Sequence, residues 1–329
     1  MLKNVFQRIS PIMKTRLITF LLLAIWYPAS AHLRDTSFTE QDITLTTSSG
    51  EIQGTLTLPV STGGPVALII AGSGPTDRNG NSPYTQNNAY QMLARELAKQ
   101  GVASVRYDKR GVARSTGAAK SEADLRFEDY INDAIGWIEL LKKDTRFKSV
   151  VVIGHSEGSL IGMVAAQRGG ANKYVSIAGS GKPIDEILKE QLKANSEQIH
   201  DLAVPVLDSL KQGHQVKNVD RQLFMLFRPS VQPYIISWMK YDPQAEIKKL
   251  KIPVLIVQGT RDIQVPTENA RMLNTALPAS QLVIVQDMNH VLKIVDSDDR
   301  AANQATYGEP MRPLAPGLAG AIAKFALKS

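Results

Sequence analysis

The 329-residue sequence contains no cysteine, which excludes disulfides, cysteine-based zinc sites and thiol nucleophiles. It equally excludes a lipid-modified cysteine as an N-terminal anchor. Histidine is scarce at five residues, so a general base has few candidates. Acidic side chains are missing from residues 1 to 31, where Lys3, Arg8, Lys14 and Arg16 alone raise the formal charge from +3 to +7. The remainder has no comparable excess and no basic run, which argues against nucleic acid as a partner. The apolar stretch "LITFLLLAIW" falls short of the roughly 20 residues that span a bilayer comfortably.

What that N-terminal segment does have is the order of an export signal. A basic stretch precedes the apolar run, and "YPASA" follows it with Ala29-Ser30-Ala31 as a small-x-small cleavage pattern. Residues 1–31 are therefore expected to be a secretory signal peptide, with the mature protein beginning near His32. This implies an exported, periplasmic protein with no stable membrane anchor once the signal is removed. An uncleaved anchor is the alternative.

The sequence as a whole has an ordinary globular composition, with 43% hydrophobic and 21% charged residues. "DITLTTSSGEIQGTLTLPV" alternates polar and apolar residues around a Ser-Ser-Gly turn, which predicts a hairpin with one solvated face. Six nearly continuous apolar runs follow: "PVALIIAG", "VASVRYD", "SVVVIG", "YVSIAG", "IPVLIVQG" and "QLVIVQ". Runs of this kind suit parallel strands buried on both faces. Amphipathic segments separate them, among them "NNAYQMLARELAKQG" and "FEDYINDAIGWIELLKKD", the second with Ile131, Ile135, Ile138 and Leu141 at helical spacing. The alternation predicts an α/β fold, a mostly parallel twisted sheet of about eight strands with helices on both faces. From about Lys182 to Leu250 helical segments run on without a strand, so residues 182–250 are expected to form a helical cap inserted into a domain spanning 32–329. No repeat or low-complexity tract is evident.

The stretch "VVVIGHSEGSLIGMV" carries Gly154-x-Ser156-x-Gly158 between a buried-type strand and an apolar helix. That context is the condition for a nucleophile elbow, in which a sharp strand-to-helix turn lifts a serine hydroxyl clear of the sheet. Serine needs a base to take its proton and a carboxylate to hold that base. Of the histidines, His32 sits at the expected mature terminus, His155 adjoins the serine and is expected to face the other side of the sheet, and His200 and His214 fall in the insertion. His290, just beyond "QLVIVQ", is left as the base. Asp262 lies just past the end of a buried strand and is favoured as its partner over Asp287, which lies in the histidine's own loop. Phe224, Met225, Phe227, Tyr234, Ile235, Ile236, Trp238 and Met239 either line an acyl pocket or bury the cap onto the domain, with burial favoured for any single one.

The segments "GSGPTDRNGN", "RYDKRGVARS", "GHSEGS", "GTRDIQVP" and "MNHVLK", together with the order Ser156, Asp262, His290, resemble the α/β-hydrolase superfamily. More narrowly the chain is similar to bacterial serine esterases related to the serine aminopeptidase group, and the resemblance runs from about Thr39 to the C-terminus. It implies an ester-cleaving serine hydrolase that works through an acyl-enzyme on a small-molecule acyl ester, with no metal or organic cofactor. It further implies an oxyanion hole built from the backbone N–H groups of Glu157 and Ser73, with Gly74 as the alternate to Ser73. Ala71-Gly72 stands where many relatives carry His-Gly, and Ala113 where a glycine is usual. Asp77 and Arg78 either orient the oxyanion loop or form a surface ion pair. An aminopeptidase or amidase on the same residues is the main alternative and would need acids for the substrate ammonium. Asp185, Glu186, Glu190 and Glu197 are available, but read more naturally as a helix surface. A non-catalytic binding protein on the same scaffold is a further alternative.

Overall fold

The computed structural model describes residues 37–328. The expected export signal at residues 1–31 lies outside the described residues. Strands β1 (Phe38–Thr47) and β2 (Gly50–Pro59) form the antiparallel hairpin. They are followed by β3 (Val66–Ile70), β4 (Ala103–Tyr107), β5 (Val150–His155), β6 (Lys173–Ile177), β7 (Val254–Gly259) and β8 (Gln281–Val285). The eight strands make one sheet in the order β1-β2-β4-β3-β5-β6-β7-β8. β2 pairs antiparallel with β4, and every pairing from β4 to β8 is parallel. All residues of β3, β4, β5 and β7 are buried, which is why β3, β5 and β7 are largely apolar on both faces. β4 instead turns Ser104 and Arg106 to one face, with Arg106 paired to Glu40.

Helices cover both faces. On one, α1 (Ala89–Lys99) and a C-terminal helix (Leu318–Leu327) pack Leu93, Leu97, Ile322 and Phe325 against Val151, Ile153, Val175 and Val257. On the other, α2 (Phe127–Lys143) and α3 (Glu157–Gly169) bury Ile131, Trp137, Ile138 and Ile161 over Leu68, Ile70, Val152 and Tyr174. β3 sits between β4 and β5, so the connections leaving β3 and β5 diverge to opposite sides. In open parallel sheets such a crevice, at the carboxyl ends of the strands, is where ligands bind. Gly72 and Ser156 follow these two strands.

The insertion between β6 and β7 is helical, with α4 (Ile184–Asn195), α5 (Glu197–Lys211), α6 (Phe224–Phe227), α7 (Gln232–Trp238) and α8 (Pro243–Ile247). It has its own apolar centre, in which Leu207, Leu210 and Phe227 are fully buried and Ile235 and Met239 nearly so. Several bonds tie it to the rest of the domain, among them three beside α2 and α3 and one from Gln191 Nε2 to the Gln264 carbonyl at 3.1 Å. Ser237 Oγ accepts from the N–H of Phe127 at 2.8 Å, Arg228 Nε donates to Glu122 at 2.8 Å, and Tyr234 donates to Glu157. After β7 and before β8 runs α9 (Thr267–Ala276), and α10 (Arg300–Ala305) precedes the C-terminal helix, α11.

Candidate active site

Ser156 joins β5 to α3 at φ 54°, ψ −119°, a region that a residue with a Cβ enters only at a cost. Two glycines make the turn possible. A Cβ on Gly154 would lie 2.1 Å from the carbonyl oxygen of Gly158, and one on Gly158 would lie 2.4 Å from that of Ile70. The Ser156 N–H is anchored to the carbonyl of Ile177 at 2.9 Å. Glu157 is the first helical residue, so its own N–H has no partner within the helix.

The structure brings Asp262 to His290, with the carboxylate Oδ2 2.8 Å from Nδ1 of the ring. Both residues are more than nine-tenths buried. Asp262 accepts three further hydrogen bonds, from Gln258 Nε2 at 2.9 Å and from the N–H groups of Gln264 and Val265 at 2.8 and 2.9 Å. Burial works to raise the pKa of this carboxyl. The charge and hydrogen bond of His290 and the two backbone donors prevail, and they hold it below the ordinary aspartate value. Asp287, the competing acid, turns instead to Arg261 at 3.3 Å. Gln258 was legible as an oddity, a polar side chain inside the apolar run "IPVLIVQG", but its partner was not.

Ser156 and His290 line one cavity of about 270 Å³, together with Gly72, Ser73, Tyr90 and His155. A second cavity of about 360 Å³ lies across the loop after β3, walled by Lys109, Val112, Leu125, Glu157, Val231 and Tyr234. Ser73 borders the first cavity, Gly74 the second, and Pro75 both. The loop is fixed from beneath. Asp77 Oδ1 accepts from the N–H groups of Asn79 and Asn81 at 2.8 and 2.9 Å. Arg78 pairs with Asp108 at 2.6 Å, both of them buried. Asp77 and Arg78 thus brace this loop, and the Arg78–Asp108 pair is not a surface one.

His155 corrects the reading that set it aside. It does lie over α1, but its ring borders the Ser156 cavity and packs on His290 with ring centroids 4.9 Å apart. Its Nε2 is 2.8 Å from the His290 carbonyl oxygen and its Nδ1 2.7 Å from the Tyr90 hydroxyl. A carbonyl can only accept, so Nε2 carries the proton and the Tyr90 O–H donates to Nδ1. Burial, reinforced by the charge of His290, pushes the His155 pKa down to about 3. The Tyr90 oxygen in turn accepts from the N–H of Gly72 at 3.0 Å.

The cap residues divide. Phe227, Ile235 and Met239 are buried in the cap's own centre, and Trp238 stacks on Phe127 with centroids 5.5 Å apart. Phe224 and Met225 are exposed, and Tyr234 alone of the eight borders the second cavity. The four cap acids border neither cavity. Asp185 pairs with Lys211 at 2.7 Å, Glu190 with Lys182, and Glu197 with Lys193 at 3.5 Å. His200 and His214 also border neither cavity.

A family model described as serine aminopeptidase, S33, matches residues 85–295. Among curated proteins, Esterase EstD of Thermotoga maritima is 27% identical over 268 residues, covering 78% of this chain and 60% of that protein. The chain thus spans about 60% of the length of that relative. Among solved structures, Est1E from Butyrivibrio proteoclasticus is similar with a TM-score of 0.54 at 17% identity, covering 86% of this chain and 96% of that one. A thermophilic esterase from Thermogutta terrifontis gives a TM-score of 0.51 at 17% identity, covering 87% and 97%. At such identities these two structures speak for the fold.

Proposed function

Because the chain belongs to the serine aminopeptidase S33 family of α/β-hydrolases, we propose that it cleaves carboxylic esters with Ser156 as nucleophile, His290 as general base and Asp262 as the carboxylate that orients the base. The observation that carries this reading is the Asp262–His290 hydrogen bond of 2.8 Å, made beside the cavity that Ser156 also borders. Asp262 occupies Nδ1, which leaves Nε2 of His290 to take the serine proton. Oγ of Ser156 then attacks the acyl carbon. The negative charge that develops on the carbonyl oxygen is met by the N–H groups of Glu157 and Ser73. As the tetrahedral intermediate collapses, the C–O bond to the alcohol breaks and His290 gives its proton to the leaving oxygen. A water repeats the sequence on the acyl-enzyme, releasing the acid and restoring Ser156.

Esters are favoured over aminoacyl amides by the state of the carboxylates. An aminopeptidase has to receive a free ammonium, which calls for an acid not already matched by a cation. Glu157 and Glu122, which border the second cavity, are engaged by Lys109 and Arg228. The export signal at residues 1–31 completes the reading as a periplasmic enzyme. Among the described residues no helix is long and apolar enough to cross a membrane.

The test is turnover of acyl esters of graded chain length beside aminoacyl amides, by the native chain and by Ser156→Ala. Ester turnover that vanishes in a folded Ser156→Ala supports the reading. Full activity in that variant would sink it, and a preference for the amides would replace esterase by aminopeptidase.

A further inference from the structure

Lys109 lies two residues beyond the end of β4, and the whole residue is 1% exposed. A buried ammonium demands partners, and this one has two of particular interest. Nζ donates to the carbonyl oxygen of Gly72 at 2.6 Å and to Oε2 of Glu157 at 3.2 Å. It also stands 5.2 Å from the centre of the Tyr130 ring. The Gly72 carbonyl belongs to the same peptide unit as the N–H of Ser73. That unit is planar, so a donor fixed on its oxygen also fixes the direction of its N–H. Glu157 carries the other N–H of the oxyanion hole. The ammonium therefore grips both halves of that hole from behind.

The grip has support on each side. Gly72's N–H is held separately by Tyr90 at 3.0 Å, so both peptide groups of this residue are pinned. The second oxygen of the Glu157 carboxylate receives the Tyr234 hydroxyl from the cap. Nothing in attack or proton transfer uses Lys109 or the Glu157 carboxylate. Yet burying an ion pair here costs desolvation that an apolar pair of similar size would avoid.

We propose that Lys109, held by Glu157, is a positioning residue for the oxyanion hole, aiming the Ser73 and Glu157 N–H groups at one point and adding positive potential behind it. This rests on the assignment of the hole made above. Donors preset in this way stabilise the intermediate without reorganising, whereas substrate binding gains little from them. The predicted signature is a loss in kcat with KM nearly unchanged.

The full-length mature protein is assayed on p-nitrophenyl esters, with kcat expressed per active site titrated to completion by a serine-reactive phosphonate. A trifluoromethyl ketone serves as the ligand whose serine adduct carries a charged oxygen. Lys109→Met is expected to lower kcat per site by roughly ten- to a hundredfold and to weaken the ketone by a similar factor, with KM within about twofold. Lys109→Arg, which keeps the charge, should recover part of both. Should Lys109→Met not fold, Glu157→Gln keeps the backbone N–H and the volume while releasing the ammonium, and a loss of about three- to tenfold in both readouts is expected. Unchanged kcat and ketone affinity in whichever variant folds overturns the proposal, as does a loss confined to melting temperature or to the fraction of titratable sites. Ser156→Ala, run in parallel, separates the two levels. Turnover surviving there overturns the hydrolase reading itself, whereas an inactive Ser156→Ala beside unimpaired Lys109 and Glu157 variants overturns only the positioning role.

Discussion

His155 donates from Nε2 to the main-chain carbonyl of His290 at 2.8 Å while its ring lies 4.9 Å from the ring of the same residue. The two imidazoles thus differ in kind. One is fixed in a single neutral form by Tyr90 and a carbonyl, and the other is held by a carboxylate.

A neutral buried histidine makes stability depend on pH. The folded pKa of His155 is about 3 against an ordinary value of 6.5, so below 6.5 the unfolded chain binds a proton that the folded one refuses. Its contribution is complete above pH 6.5 and is lost progressively as the pH falls toward 3. At about 1.4 kcal/mol per pKa unit the loss reaches a few kcal/mol at the acid end. Denaturant titrations at pH 7 and pH 4.5 should therefore differ more for the native chain than for His155→Phe. Equal differences in the two would disprove it.

Gln258 bridges Asp262 and the carbonyl of Val265, at 2.9 and 2.8 Å. Gln258→Leu leaves the carboxylate one donor short and the carbonyl unpaired in a buried setting. A loss of about 1–3 kcal/mol in stability is expected, with kcat falling by about tenfold as the acid loosens its hold on His290. Equilibrium unfolding and ester kinetics on the same preparation measure both, and a variant that matches the native chain on each would show the glutamine to be idle.

Gly158 has no room to change. Its added methyl would meet the carbonyl oxygens of Ile70 and Ala71 at 2.4 and 2.6 Å, and backbone cannot swing aside as a side chain can. Gly158→Ala should cost more than about 3 kcal/mol, read as a collapse in soluble yield or a large drop in melting temperature. A variant with native stability would mean that the turn is looser than these distances allow.

Ala113 invites the opposite exchange. It sits at φ 44°, where a Cβ costs roughly 1–2 kcal/mol and glycine none. Glycine returns part of that gain through the greater freedom of the unfolded chain. Ala113→Gly should stabilise by up to about 1 kcal/mol in thermal or chemical melts, and a destabilised variant would contradict the assignment of strain.

The strands were legible because burial on both faces leaves its mark on every residue of a run such as "VVVIG". Ser156 was legible because only glycines at 154 and 158 permit its turn. What stayed hidden depends on partners distant in the chain. His155 meets Tyr90 65 positions away and His290 135 away, and no local pattern encodes either meeting. Lys109 stood only as one residue of the segment "RYDKRGVARS", and nothing local says that its ammonium ends on the Gly72 carbonyl, 37 positions away. The cap residues could not be sorted in sequence, since Phe227, Trp238 and Met225 share apolar character yet end in the cap's centre, on α2 and in solvent.

The fastenings of the cap bear on how the proposed hydrolase would be emptied between reactions. Its bonds to Glu122 and Glu157 border the second cavity, and swinging that side away would break these two charged contacts together with the backbone bond of Phe127. A hinged door there would be slow. On the proposed ester-cleaving reading, acid and alcohol would leave through the mouth of the Ser156 cavity, past Tyr84 at 80% exposure. There the cap's bond is the neutral one from Gln191 Nε2 to the Gln264 carbonyl at 3.1 Å. The walls would then act as a fixed sieve, set by their resting dimensions.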